Sequence, residues 1–148
     1  MKKDSGVYGA TRPSWDKKDC SVRALAVATG VNYAVASATF CAQGRVAKNG
    51  TSIQLSVNLY ENVLGMKRVD WAEGMKLGDF LRIAPTGSFV VHKLGHAFAV
   101  VEGIVCDWES TSRENTVLIG IWKVTDVARA KMRKMEALLQ ELMAKELE

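Results

Sequence analysis

Apolar and polar residues alternate along this chain with two periods, and the change between them falls near its middle. In the first half, apolar side chains recur every three or four positions, as on one face of an α-helix. Val22, Leu25, Ala26 and Ala28 follow Asp19, a residue type that caps helix starts, and precede Gly30, which supplies a left-handed stop. A helix is therefore predicted from Cys20, with the cysteine in its first turn. Asn32 caps a second helix running to about Ala42 and ended by Gly44, and Thr51 or Ser52 caps a third running to Leu64 and ended by Gly65. The polar, glycine-bounded stretch from Gly44 to Gly50 reads as a loop.

From Lys67 the period shortens. Lys67–Trp71 reads as a short strand, Leu77–Ile83 as a short helix, and Pro85-Thr86-Gly87 as a turn into a strand from Ser88 to Leu94. His96–Val101 and Ile104–Trp108 are strand-like runs separated only by Glu102-Gly103, a strong signal for a two-residue hairpin. A further strand from Thr116 to Val124 closes the sheet. Helices followed by strands predict an α+β fold with a largely antiparallel sheet. From Thr125 onward, Ala128, Met132, Met135, Leu139 and Leu142 form the stripe of one long amphipathic helix. The chain thus divides into a domain at 1–124 and a terminal helix at 125–148.

Composition narrows the class. With 148 residues, 48% of them hydrophobic and 24% charged, the chain suits one soluble domain with a sizeable core. No apolar run approaches the ~20 residues of a membrane helix. Met1-Lys2-Lys3-Asp4-Ser5-Gly6 leads into no apolar stretch, so as written the chain predicts no secretory leader and a cytoplasmic location. Cys20, Cys41 and Cys106 are odd in number and form no CxxC pair, which argues against a disulfide scaffold and a zinc ribbon. His92 lies four positions before His96, but Leu94-Gly95 bends or ends the strand between them, and no zinc spacing results. Neither a metal nor another cofactor is expected. The net charge of +4 hides an asymmetry, with eight Lys/Arg against three Asp/Glu in residues 1–50 and twelve against thirteen afterwards. No recognition motif accompanies that excess, so nucleic acid is not the expected partner.

The hairpin gives the chemistry its geometry. A turn at Glu102-Gly103 pairs Val101 with Ile104, Phe98 with Asp107 and His96 with Glu109. Opposed residues and those two apart share a face, so His96 and Asp107 are diagonal neighbours, with Glu109 a nearer competitor at the strand end. The other face carries Ala97, Ala99, Val101, Ile104, Cys106 and Trp108 and reads as core. A cysteine at a helix start meets unpaired N–H groups and a positive partial charge that stabilise a thiolate. An imidazole moves a proton, and a carboxylate holds its tautomer. Cys20, His96 and Asp107 therefore supply the parts of a nucleophilic site. Cys41 and Cys106 lie on apolar elements and read as structural. Trp15 and Trp108 flank the site in sequence as candidate cleft walls, whereas Trp71 and Trp122 read as core.

The order Cys, His, Asp, with the run Asp19-Cys20-Ser21-Val22-Arg23-Ala24-Leu25-Ala26-Val27-Ala28-Thr29-Gly30, the segments Leu77-Gly78-Asp79-Phe80-Leu81 and Pro85-Thr86-Gly87, and Gly95-His96-Ala97-Phe98-Ala99-Val100 followed by Gly103 and Asp107, resembles the papain-like cysteine hydrolase superfamily. Within it, the likeness is to small phage-encoded cysteine peptidase-like proteins, over about residues 15–110. The resemblance implies that the cysteine helix packs on the antiparallel sheet. It also implies a nucleophile at Cys20, a base at His96 and an orienting carboxylate at Asp107, acting on an amide or thioester bond of a host or phage protein. Many such enzymes place an oxyanion-stabilising glutamine shortly before the cysteine, but Ser14-Trp15-Asp16-Lys17-Lys18-Asp19 contains no amide side chain. Ser14 or Lys18 is the alternative donor, beside the Cys20 backbone N–H. Asp19 raises the thiol pKa unless capping turns it away. The rival reading keeps the scaffold without turnover, as a protein that binds and inhibits a host factor. In the terminal helix Arg129, Lys131, Arg133 and Lys134 precede Glu141, Glu146 and Glu148, an order that opposes the helix dipole and suits antiparallel pairing of two copies through residues 125–148.

Overall fold

In the computed structural model, which describes residues 3–4, 18–46, 49–107 and 112–146, helix α1 spans Cys20–Thr29 and Gly30 ends it in the left-handed region at φ 71°. Helix α2, Tyr33–Ala42, is capped by the Asn32 side chain, which accepts a bond from the Ala34 N–H at 3.0 Å. Ser52 rather than Thr51 caps α3, Ile53–Asn58, accepting from the Leu55 N–H at 3.1 Å. Instead of continuing regularly, α3 widens into a π-helical turn over Leu59–Val63. The wider turn carries both Leu59 and Tyr60 into the interior.

Among the described residues six strands form one sheet: β1 (Lys3–Asp4), β2 (Lys67–Arg68), β3 (Ser88–Lys93), β4 (His96–Val101), β5 (Ile104–Cys106) and β6 (Gly120–Lys123). Their order is β1-β5-β4-β3-β6-β2, antiparallel except where β1 joins β5. Helix α4, Leu77–Ile83, matches its predicted span. The strand expected at 67–71 stops at Arg68, and Asp70–Ala72 form a 3₁₀ turn instead. The strand expected at 116–124 shortens to β6, while Val117 makes an isolated bridge to Lys76.

Two tight turns set the register. Glu102 and Gly103 both take positive φ, 49° and 75°, the requirement of a type I′ hairpin turn, and Val101 pairs with Ile104 as expected. Leu94-Gly95 ends β3, as expected, and does so as a second tight turn that pairs Lys93 with His96 and His92 with Ala97.

Both faces of the sheet are core. Val90, Ala97, Ala99, Cys106 and Trp122 pack under α1, with Val22, Leu25 and Ala26 fully buried against them. On the opposite face, Phe89, Val91, Phe98, Val100, Val105 and Ile121 pack with Leu77 and Phe80 of α4. Each such fully buried Val, Leu or Phe contributes about 1.5–3 kcal/mol. Two sequence readings fail here: Trp71 is 56% exposed over Phe80 rather than core, and Cys41 is exposed.

The terminal helix, α5 (Asp126–Glu146), begins at Thr125, whose Oγ1 accepts from the Ala128 N–H at 3.1 Å and donates to the Gly65 carbonyl at 2.8 Å. Ala128 and Met132 are fully buried in the core shared with α1 and α2, and Met135 and Leu139 pack against it. Glu136 accepts from the Asn32 N–H at 3.2 Å, and Lys131 donates to the Val63 carbonyl at 2.9 Å. The first half of the stripe therefore closes its own domain. Leu142, expected in the stripe, is exposed together with Leu138 and Met143. No described helix is long and apolar enough to cross a membrane.

Candidate active site

Cys20 is the first residue of α1, where the opening N–H groups have no intrahelical acceptor. Asp19 occupies the N-cap position, and its carbonyl accepts from the Arg23 N–H at 3.0 Å, but its carboxylate makes no cap bond. That carboxylate is buried and accepts from the Tyr33 hydroxyl at 2.9 Å. The expected turning away of Asp19 is thus the work of a tyrosine at the start of α2, not of capping.

Two elements, β4 and α1 itself, bring hydrogen-bonding groups to the Cys20 sulfur. The imidazole of His96, at the start of β4, hydrogen-bonds it, as do the backbone N–H of Ala97 and the hydroxyl of Ser21. Burial pushes the thiol pKa up, but the bond to His96, the Ala97 N–H, the charge on His96 and the Ser21 bond outweigh that and leave it below the ordinary 9.0. His96 Nε2 lies 2.9 Å from Asp107 Oδ1, which leaves Nδ1 for the sulfur. The His96 side chain is 8% exposed and that of Asp107 is 0% exposed, so the pair is shielded from water. Burial lowers the imidazole pKa, but the bonds to Asp107 and Cys20 and their negative charges overcome it and raise the value from 6.5 to about 9. The arrangement favours a thiolate facing an imidazolium.

Asp107 follows β5, opposite Phe98 by the hairpin register, and its other oxygen accepts from the Ser112 hydroxyl at 2.6 Å. Both carboxylate oxygens are therefore engaged. The structure brings Cys20, His96 and Asp107 together, and the His96–Asp107 contact is the diagonal pairing that the hairpin register predicts. Glu109, the competing acid, lies outside the described residues, as do Ser14, Trp15 and Trp108. Lys18 is exposed on the rim, and its carbonyl accepts from the buried Arg45 at 3.1 Å while Arg45 Nε donates to Thr51 at 3.0 Å. Arg45 thereby ties the approach to Cys20 to the loop before α3.

A cavity of about 480 Å³ opens over the sulfur, lined by Cys20, Ser21 and His96 with Lys18, Thr51 and His92 among others. His92 has no zinc-ligand spacing in the sequence. It is buried, and its Nε2 lies 2.9 Å from the Tyr60 hydroxyl. The Leu94-Gly95 turn was the missed signal, because reading it as a hairpin pairs His92 with Ala97. Ser112 and Tyr60 carry no comparable sequence signal, since each reaches the site from a separate element.

No protein-family profile matches the chain, and no solved structure matches it. Over 69 residues, 47% of this chain, it is 35% identical to the viral-enhancing factor of Trichoplusia ni granulosis virus. Over 46 residues, 31% of this chain, it is 46% identical to the viral-enhancing factor of Pseudalatia unipuncta granulosis virus. The matched stretches amount to 6% and 4% of those proteins' lengths.

Proposed function

We propose that this protein is a cysteine hydrolase of the papain-like kind, acting on an amide or thioester bond of a protein or peptide-like substrate. The observation that carries the reading is the thiol at the start of α1, bonded to His96 while His96 is bonded to buried Asp107. The Cys20 thiolate attacks the carbonyl carbon and forms an S–C bond, giving a tetrahedral intermediate. As that intermediate collapses, the bond to the leaving group breaks and His96 gives it a proton. Water then attacks the acyl-enzyme and passes a proton to His96, the S–C bond breaks, and acid product and thiolate are regenerated. Asp107 stabilises the imidazolium whenever His96 carries its second proton and orients the neutral ring in the acyl-enzyme. The short stretches shared with two viral proteins suit a viral setting and bear on no step of this chemistry.

The chain contains its own control, because Cys41 is exposed and Cys106 is buried. Site-resolved alkylation of the full chain by iodoacetamide at neutral pH is expected to modify Cys20 at least about tenfold faster than Cys41, although Cys41 is more accessible. His96→Ala should remove that preference. Alkylation of Cys41 ahead of Cys20 would overturn the hydrolase reading and favour a scaffold that binds without turnover.

A further inference from the structure

An acyl-transfer site needs two hydrogen-bond donors for the oxygen that becomes negative in the tetrahedral intermediate. The Cys20 backbone N–H, among the opening N–H groups of α1 that have no intrahelical acceptor, is available for one. The segment before the cysteine offers no amide side chain for the other.

His92 is placed to fill that gap. The β3–β4 register sets it directly opposite Ala97, whose N–H reaches the Cys20 sulfur, and directly opposed residues share a face. That face is the one α1 covers, and His92 lines the cavity together with Cys20 and His96. Its ring is wedged edge-on against Tyr60 and Trp122, with centroids 5.7 and 5.3 Å away. Nε2 takes the bond to the Tyr60 hydroxyl at 2.9 Å, and among the described residues Nδ1 has no hydrogen-bond partner.

The direction of the Tyr60 bond decides what Nδ1 carries. A phenol is the better donor and a neutral imidazole nitrogen the better acceptor, so Tyr60 O–H donates to Nε2 and the ring proton stays on Nδ1. Burial, and then the charge on His96, push the His92 pKa down to about 4, so the ring is neutral at physiological pH. Burial holds the Tyr60 hydroxyl protonated, its pKa well above the usual value.

We propose that His92 is the second oxyanion donor of this site, its Nδ1–H presented to the substrate carbonyl oxygen by the Tyr60 bond and the Trp122 packing. The proposal rests on the hydrolase reading above and adds a residue to it. The oxygen it serves belongs to any acyl substrate, so the role is independent of which amide or thioester is cleaved.

Two electrophiles separate the roles. Alkylation by iodoacetamide consumes a thiolate and creates no oxyanion, whereas acylation by p-nitrophenyl acetate passes through one. In the full chain, His92→Phe should slow acylation of Cys20 by about 10²-fold while leaving its alkylation within about threefold. His92→Gln, which keeps an N–H donor, should recover at least about tenfold of that loss, and Tyr60→Phe, which frees the tautomer, should slow acylation alone. Should His92→Phe not fold, the latter two carry the same comparison. A parent chain that is alkylated but never acylated at Cys20 overturns the hydrolase reading and this one with it. A parent that acylates normally, with His92→Phe acylating equally fast, overturns the oxyanion role alone. Parallel loss of both rates also overturns it, because the ring would then be supporting the thiolate or the fold.

Discussion

His92 and His96 lie four positions apart and titrate in opposite directions, because one is buried against aromatic rings and the other is bonded to a buried carboxylate. His92 is neutral when folded, down to about pH 4, whereas the unfolded chain takes up its proton near the ordinary 6.5. Its contribution is therefore present above 6.5 and lost as pH falls from there towards 4. His92→Phe should flatten this acid limb, a difference readable as thermal midpoints at pH 7 and pH 4.5. His96 has the reverse sign: its raised pKa stabilises the fold below 6.5, and that stability drains as pH rises through about 9. Cys20, lowered from 9.0, stabilises the fold at high pH and loses that contribution as pH falls through its folded value, so the pair offset each other on the alkaline side.

In the proposed mechanism Asp107, 2.9 Å from His96, holds the imidazolium, so Asp107→Asn should slow ester acylation by about 10²- to 10⁴-fold. It should also move the pH dependence of Cys20 alkylation upward. Parent-like rates would show that the diagonal contact has no catalytic part. Cys20 at a helix start and His96 beside Asp107 were legible in the sequence, because a helix boundary and a two-residue turn are local signals. His92, Tyr60 and Ser112 were not, because their partners come from elements with no sequence relation to them.

At the scale of elements, the type I′ turn decides whether Asp107 faces His96. Gly103 takes φ 75°, and a Cβ there would come 3.1 Å from the Pro85 carbonyl oxygen. Gly103→Ala should therefore cost about 1–2 kcal/mol from the backbone conformation, with the Pro85 contact adding to it. Because the turn sets the register of β5, acylation at Cys20 should fall with it. Unchanged stability on chemical denaturation would show that the turn relaxes freely. The predicted helices around Gly30, Asn32 and Gly65 hold to within a few residues, since caps and stops are read from single positions. The π-helical turn at Leu59 escaped the pattern, because an extra residue per turn is imposed by burying both Leu59 and Tyr60. That irregularity carries the Tyr60 hydroxyl to His92.

Across the whole molecule, a sheet covered on both faces holds the site rigid at the end of one helix. α1 and α2 lie on one face and α4 on the other. The sequence pattern assigned a core to only one face, because a mostly apolar run such as Phe89-Val90-Val91 reads alike for one buried face or two. The terminal helix was legible as amphipathic, but not what it packs on. Ala128 and Met132 complete the domain core, and pairing of two copies through residues 125–148 would draw on Leu138, Leu142 and Met143.

All of these layers converge on one sulfur, and the fate of an acyl group placed there is the sharpest test of the proposed hydrolysis. The full chain is mixed with p-nitrophenyl acetate, quenched in acid at intervals, and mapped by peptide mass spectrometry, with a second set of samples taken after the reagent is removed. Acetyl is expected to appear on Cys20 before Cys41, to decay once the reagent is gone, and to be absent from that peptide in Cys20→Ala. Acetyl that reaches Cys41 as fast as Cys20, or that never leaves Cys20, would contradict hydrolysis through Cys20.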